Sequence, residues 1–498
     1  MIKDSAYGSL KSNGQAENRL AKPPPEEPDA LIAHVRVCEG DGPKGPSLLG
    51  TKHNSAIGIT AGLFVSYNFA SIVRLFIALM LRYSVTPTLR HVIAPIFAFF
   101  LFSVMVNAAT HYVVTNGTPG HLGAVDPYTN WAWAGTNIID VVNAALTNSV
   151  ERVVWVSNGT YYLTNQININ GALTLQGFNG RTNTFIDGNR TGGNTNRCFY
   201  INHASAIVKG FTISNGGNAM ANGGGVYCDN GKLDDCTIKL NIAGNGGGVW
   251  MKDGMLTNCL VIANKAYVVS WDAGGGGVFV RLGTAPCLYN CDIISNLSLG
   301  YGGGIYLYVS PATIRGCNVL NNYAVADGGG IYSFNNQNKS GIRDSVISYN
   351  YAIGSGGGVF SDGDNITNCI ICYNSSAGSQ GAGGIYMYNI ANVYNCLIYS
   401  NNSTGDGAAR GGGGVRARGG LTIANCTIAK NGSIIGASGL SCTNAIASTI
   451  IINTIVYSNS FCDGTNQFKA VFTNSCLEST NGLNVSSCGN VPSVVKIV

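Results

Sequence analysis

Charge is scarce in this chain. Only 11% of its 498 residues are Asp, Glu, Lys or Arg. Residues 110–498 hold 19 basic and 17 acidic side chains. That balance leaves no electrostatic footprint for nucleic acid, and no such partner is expected. Histidine is missing from residues 204–498, which excludes a Ser-His-Asp triad there. Glu151 and Glu478 are the only glutamates after residue 109. No convincing helical periodicity of ten or more residues occurs in the repeats, which argues against a helical solenoid. One Cys-x-x-Cys stands alone, at Cys369 and Cys372, without a second pair or a His. Zinc is therefore not expected, and no metal or resident cofactor is assigned.

What the chain has is a repeat. Glycine numbers 68, and much of it falls in Gly-Gly-Gly-Val/Ile-aromatic segments starting at Gly223, Gly246, Gly275, Gly302, Gly328 and Gly356. Degraded copies follow at Ala382, Gly412 and Ala437. Each is followed by Cys-x-Ile/Val-x-x-Asn, as in Cys236 to Asn241 and Cys291 to Asn296. The period is about 27 residues and varies from 23 to 30, whereas the Cys-to-Asn spacing is constant. A fixed period of this size predicts a solenoid. Rigid parts keep their length, so the Cys–Asn segment reads as strand plus turn and the stretch before the glycines as loop.

Strand alternation places Cys236 and Ile238 on one face and Thr237 and Lys239 on the other. Short β-branched strands with Gly-rich turns predict an all-β fold, a parallel β-helix. The recurrent Asn (241, 264, 296, 322, 350, 374, 401, 431, 459) predicts an internal amide ladder, because an amide can donate to the next rung and accept from the last. The Cys column gives way to Ser345 and Thr454, so small size rather than thiol chemistry is what it supplies.

The arms of the chain read differently. Val92 to Val106 is apolar, follows Arg82, Arg90 and His91, and ends in Asn107-Ala108-Ala109. This is the pattern of a signal peptide over 80–109, with 1–79 as a start-site artefact or leader. A secreted or cell-surface location follows, with membrane contact only through that peptide or a missing anchor. Export permits disulfides among Cys198, Cys228, Cys287, Cys442, Cys462, Cys476 and Cys488. Residues 110–200 read as a cap with first rungs, including strands at 111–115, 153–156 and 172–175 and a short helix over 135–146 with Thr136 as N-cap. Trp131, Trp133 and Trp155 are expected to pack that cap. Residues 201–460 are regular β-helix repeats, opened by a shortened copy at Gly210 to Asn215, and 461–498 is an irregular end.

The two repeat halves, with Arg197 to His203 leading into Gly210 to Ile213, resemble secreted bacterial right-handed parallel β-helix repeat proteins of the pectate-lyase-like superfamily. They are also similar to repeats of polymorphic outer membrane proteins and autotransporter passengers. The resemblance spans about 110–480 and implies a right-handed solenoid with a short N-terminal capping helix. It does not choose among lyases, hydrolases and adhesins. The Asn-Thr-Asp and Gly-His-Gly motifs of pectin-hydrolysing relatives do not occur. Asp234 and Asp235 are adjacent and read as a turn pair rather than facing catalytic carboxylates.

Two outward columns remain as candidate sites. Tyr227, Trp250, Phe279, Tyr306, Tyr332, Phe360 and Tyr386 each follow an inward Val or Ile. They form either a ligand face for sugar rings or a ladder of rings stacked on one another beneath the loops. Two residues further on lie Asp229, Lys252 and Arg281, on consecutive rungs. They suit binding and deprotonation of an acidic sugar, and equally a surface ion-pair ladder. Calcium enters only under a lyase reading, and Asp272, Asp327 and Asp406 fall in non-adjacent rungs. The expected function is a binding or adhesion module contacting glycans or a cell-surface component. The alternatives are a polysaccharide lyase or related carbohydrate-active enzyme, and a structural surface segment.

Overall fold

A computed structural model of the chain describes residues 109–147, 152–193, 195–334, 340–379, 381–405, 411–434, 436–442, 449–459 and 470–477. All of them belong to the second of the two units into which the chain divides, Val92–Val498. The predicted leader, the signal peptide up to residue 108 and the stretch 478–498 lie outside the described residues.

Every repeat contributes one rung of a parallel β-helix. One rung runs through a Val-aromatic strand (Val249–Met251), a second strand (Met255–Thr257), the Cys-Ile strand (Leu260–Ile262) and a two-residue strand (Lys265–Ala266). Each pairs in parallel with its equivalent in the next rung: Val249 with Val278, Leu256 with Leu288, Val261 with Ile293 and Ala266 with Ser298. The Cys-Ile strands build a 13-stranded sheet, and the two-residue strands an eight-stranded one. The second strand of each rung lacks a sequence signature and was not anticipated.

Three inward columns make the core. Val226, Val249, Val278 and Ile305 head one, Leu233, Leu256, Leu288 and Ile314 another, and Ile238, Val261, Ile293 and Val319 the third, all at 0% exposure. Each such side chain contributes about 1.5–3 kcal/mol by leaving water. The Cys column lies inward as expected. Cys236, Cys259 and Cys317 are buried, and their thiols lean on backbone carbonyls two residues earlier, those of Asp234, Thr257 and Arg315. Ser345 does the same with Arg343 at 2.6 Å, which explains the exchange of Ser for Cys.

Asn fixes the corner after the Cys-Ile strand. Asn296 donates from Nδ2 to Asn322 Oδ1 at 3.0 Å and to the Val261 carbonyl at 2.9 Å, and its backbone N–H reaches the same Asn322 oxygen at 2.9 Å. The residue before each ladder Asn is left-handed, as at Leu240, Ala263, Tyr349 and Tyr373. That conformation costs a residue with a Cβ roughly 1–2 kcal/mol. Because the ladder imposes it, the position shows no preference for glycine. The corner before each Cys is also left-handed, but there the residue is Asp235, Asn258, Asn290, Gly316, Asp344, Asn368, Asn395 or Asn425. These types tolerate the conformation locally. Asn368, Asn395 and Asn425 add a second, solvent-exposed amide ladder at 3.2 Å per step.

The glycine triplets are dictated by close approach. A Cβ on Gly247 would meet the Gly276 carbonyl at 2.5 Å, and one on Gly248 the Gly277 carbonyl at 2.8 Å. Side chains there would push neighbouring rungs apart.

The N-terminal region differs in detail from its expected form. The helix α1 spans Ile138–Thr147, and Asn137 rather than Thr136 receives its first free N–H, from Ile139 at 3.0 Å. Its buried face is Ile138, Val141, Val142 and Ala145, set on strands Ala109–Val113, Arg152–Val156 and Ile167–Ile169. The first copy of the Cys-type half is full length. Ile213 pairs with Ile238, so Phe211 stands at the Cys position and Gly216, not Asn215, at the ladder position. Gly216 N–H donates to Asn241 Oδ1 at 2.9 Å and starts the ladder. Past Asn459, strands Ala470–Thr473 and Cys476–Leu477 continue two of the sheets.

Cys198, Cys228, Cys287 and Cys442 are unpaired thiols. Burial pushes Cys228 and Cys442 up to about 12 and raises Cys198 as well. A thiol-specific reagent at pH 8 is therefore expected to label Cys287, which is half-exposed, while Cys198, Cys228 and Cys442 react only after denaturant is added. Labelling of those three in the folded protein at the rate of Cys287 would contradict this packing.

Candidate functional site

The aromatic column is in register along the solenoid. Tyr200, Tyr227, Trp250, Phe279, Tyr306, Tyr332, Phe360 and Tyr386 occupy equivalent positions on successive strands. They face away from the core, since Val249 and Met251 on either side of Trp250 point inward. Ring centroids lie 5.3 Å apart for Tyr200–Tyr227, 4.2 Å for Tyr227–Trp250, 4.8 Å for Phe279–Tyr306, 4.9 Å for Tyr306–Tyr332 and 4.8 Å for Phe360–Tyr386. Arg416 continues the column and sets its guanidinium 5.1 Å over Tyr386.

From Trp250 onward the rings are covered by loops, forming a second apolar cluster outside the barrel wall. Phe279 and Tyr306 are fully buried, and the Tyr306 hydroxyl donates to the Trp271 carbonyl at 2.8 Å. Burial raises the phenols of Tyr306 and Tyr332 far out of reach of titration. Stacking among the rings, rather than presentation of their faces, describes Phe279, Tyr306, Tyr332, Phe360 and Tyr386. Tyr200 and Tyr227 stay half-buried at the open end of the stack.

The Asp229, Lys252 and Arg281 column joins that open end. Lys252 lies one residue past Met251, which pairs with Cys228 on one side and Val280 on the other, so the three residues do sit on adjacent rungs. Asp229 Oδ2 accepts from the Tyr200 hydroxyl at 2.9 Å, and that bond raises the Tyr200 phenol. Arg281 Nη2 lies 3.5 Å from Asp272 Oδ2, and its guanidinium 5.3 Å over the Tyr308 ring. Lys252 is exposed. Arg197 rests 4.9 Å over Tyr227, with burial lowering its pKa from the usual value. The N–H groups of Arg197 Nε and Trp250 Nε1 are buried with no partner among the described residues, so this end has surplus donors.

A loop supplies the residue that sequence reasoning missed. Trp271 is 60% exposed, between Ser270 and Asp272, and meets Tyr308 edge-on at 5.8 Å. Ser270 donates to Asp272 at 2.7 Å, which ties the loop to the carboxylate that holds Arg281. Tyr200 was missed because Phe199-Tyr200 lacks the glycine triplet, although its alternation matches the later strands.

Asp234 and Asp235 point to different partners. Partial burial pushes Asp234 up, but bonds from Thr257 and Asn258 and the Lys232 and Lys209 charges outweigh it and hold the carboxyl below its usual range. Asp235 pairs with Arg181 at 3.4 Å. They do not form a facing carboxylate pair.

The right-handed β-helix region family matches residues 222–371. Over the described rungs the fold is a right-handed parallel β-helix. No curated protein sequence matches it. Among solved structures, the β-helix protein is similar to the Agl-KA catalytic domain, at 13% identity and a TM-score of 0.38, covering 68% of this chain and 64% of that one. It is similar to pectate lyase Pel9A at 12% identity and a TM-score of 0.32, covering 77% and 81%. A pectin methylesterase from Aspergillus niger follows at 12% identity and a TM-score of 0.24, covering 76% and 93%. The chain thus spans just under two thirds of the Agl-KA domain, and no chemistry transfers at these TM-scores.

Proposed function

We propose that the β-helix protein is a secreted or surface-displayed binding or adhesion module that holds an acidic glycan along the rim formed by its early rungs. The observation that carries this reading is that the exposed Trp271 indole and the Arg281 guanidinium both meet the Tyr308 ring, with Lys252 on the adjacent rung. An indole face stacks on the C–H face of a sugar ring, and the two cations meet its carboxylate. Export follows from the signal-peptide pattern over 80–109, and α1 serves to close the apolar cross-section at the N-terminal end.

A lyase is the second reading, favoured by the three adjacent rungs of Asp229, Lys252 and Arg281. It fits less well, because Asp229 is engaged by Tyr200 and Arg281 by Asp272. Only Lys252 remains as a base, and it is exposed to water.

The test measures binding of the purified chain to acidic and neutral polysaccharides by calorimetry, with product release followed in parallel. Lys252→Ala and Arg281→Ala are each expected to weaken binding of acidic polymers about tenfold, the loss of one charge-assisted contact. Release of unsaturated products, abolished by Lys252→Ala, would replace the adhesin with a lyase. Unchanged affinity in both variants would remove this rim as the site.

A further inference from the structure

A second cleft lies at the N-terminal end, away from the Lys252 and Arg281 column in sequence and different in chemistry. Its volume is about 750 Å³, within the usual range of ligand pockets, ~300–1,000 Å³. Val114 and Thr115 follow the strand Ala109–Val113 on one wall, Ser157 and Asn158 follow Arg152–Val156, and Phe178 and Asn179 follow Thr174–Gly177. The remaining wall is the 117–121 loop and Trp131.

The aromatic members are open rather than packed away. Trp131 is 36% exposed and Phe178 52%, with Trp133 at 39% beside them, so neither Trp131 nor Trp133 is buried in the cap as expected. Trp131 and Phe178 meet at 5.4 Å with planes 81° apart, which makes a corner of one ring face and one ring edge. Tyr112 supports Trp131 from behind at 4.6 Å, and Trp155 supports Phe178 at 5.8 Å.

The frame is held by hydrogen bonds. Asn130 Oδ1 accepts from Trp133 N–H at 3.0 Å, and Leu122 N–H donates to the Ala132 carbonyl at 2.8 Å. His121 Nε2 pairs with the Ala134 carbonyl at 2.8 Å, and Thr118 binds the Thr115 carbonyl through its hydroxyl at 2.7 Å. Such tethering lowers the ordering cost of binding.

Among the described residues no Asp, Glu, Lys or Arg lines this cleft. A charged ligand would lose water there without gaining a counter-ion. Two aromatic rings with neutral hydroxyl and amide groups around them match a ligand having apolar C–H faces and hydroxyl edges. We infer that this cleft binds a neutral saccharide, through Trp131 and Phe178 as platform and Asn158 and Asn179 as hydroxyl partners. The protein then carries two glycan sites of opposite character, and this one does not depend on the acidic-glycan reading of the other.

Intrinsic tryptophan fluorescence and ligand-observed NMR test it, using the full chain with glucose-, mannose- and galactose-based neutral tetrasaccharides and one uronic-acid tetrasaccharide. Saturable binding of at least one neutral tetrasaccharide is expected, weakened tenfold or more by Trp131→Ala and by Phe178→Ala and unchanged by Arg281→Ala. Phe178→Ala guards against misfolding, because half of that ring is already in water, and unfolding midpoints verify both variants. No binding of any neutral tetrasaccharide, binding insensitive to both variants in folded protein, or Trp131-dependent binding of the uronic-acid probe alone would each overturn the inference.

Discussion

Asn322→Ala is expected to lower stability by about 2–6 kcal/mol, as a fall in the midpoint of urea unfolding. The Asn322 side chain makes four bonds. It accepts from Asn296 N–H at 2.9 Å and Asn296 Nδ2 at 3.0 Å, and donates to the Ile293 carbonyl at 2.8 Å and Asn350 Oδ1 at 3.0 Å. Both neighbouring amides are buried to the same degree as Asn322, at 1% exposure. Alanine leaves the Asn296 backbone N–H and the Ile293 carbonyl without this partner, and each buried orphan costs about 1–3 kcal/mol, while Asn350 Oδ1 keeps the Asn322 backbone N–H at 2.9 Å and Asn296 Nδ2 keeps the Val261 carbonyl. Solenoid stability is a sum of rungs and their interfaces, so a defect in mid-column also uncouples the two halves. The control is Asn395→Gly in the outer ladder. Its left-handed backbone suits glycine and its amide is exposed to water, so the change should stay within about 1 kcal/mol. Equal losses in the two variants would mean that the inner ladder is not the stronger element.

The contrast between the ladders shows what the sequence made legible. The inner ladder is readable because its constraint is the side chain: each amide both donates to one neighbour and accepts from the other, so the same residue recurs from Asn241 to Asn459. The outer one is mixed, with Asp235, Gly316 and Asp344 interrupting the amides. Its constraint is the backbone angle, which several residue types satisfy, so it hides among ordinary turn residues. The same logic applies to the sheets. The Cys-Ile strand announces itself by fixed spacing, whereas strands such as Met255–Thr257, Cys287–Tyr289 and Gly341–Arg343 share only a buried central residue.

The candidate site was half legible for a related reason. Alternation places Trp250, Phe279 and Tyr306 on the outer face correctly, because strand parity is local. Whether that face meets water is decided by the loops before the glycine triplets, whose length varies and whose course follows no period. Hence the exposure of Trp271 and the burial of Tyr306 are both properties of one loop, and neither could be read from the repeat. The open end at Tyr200 and Tyr227 escapes cover for the same cause.

That loop gives the second large effect. Tyr306→Ala is expected to cost about 3–5 kcal/mol, in line with deletion of a fully buried aromatic ring. The ring touches Phe279, Tyr332 and Tyr308 at centroid distances of 4.8, 4.9 and 6.0 Å, so its removal leaves a void in the middle of the stack. Tyr306→Phe separates packing from tethering. It keeps the ring and deletes only the 2.8 Å bond to the Trp271 carbonyl, at about 0.5–1.5 kcal/mol. Under the proposed function this mild variant still weakens acidic-glycan binding several-fold, since the loop that carries the indole and Asp272, the partner of Arg281, loses its tether. Calorimetry on Tyr306→Phe and Trp271→Ala together decides the point. If the tether works by positioning the indole, the phenylalanine change has no further effect once Trp271 is gone. Independent, additive losses would instead mean that Tyr306 acts on binding through the stack as a whole and not through the loop.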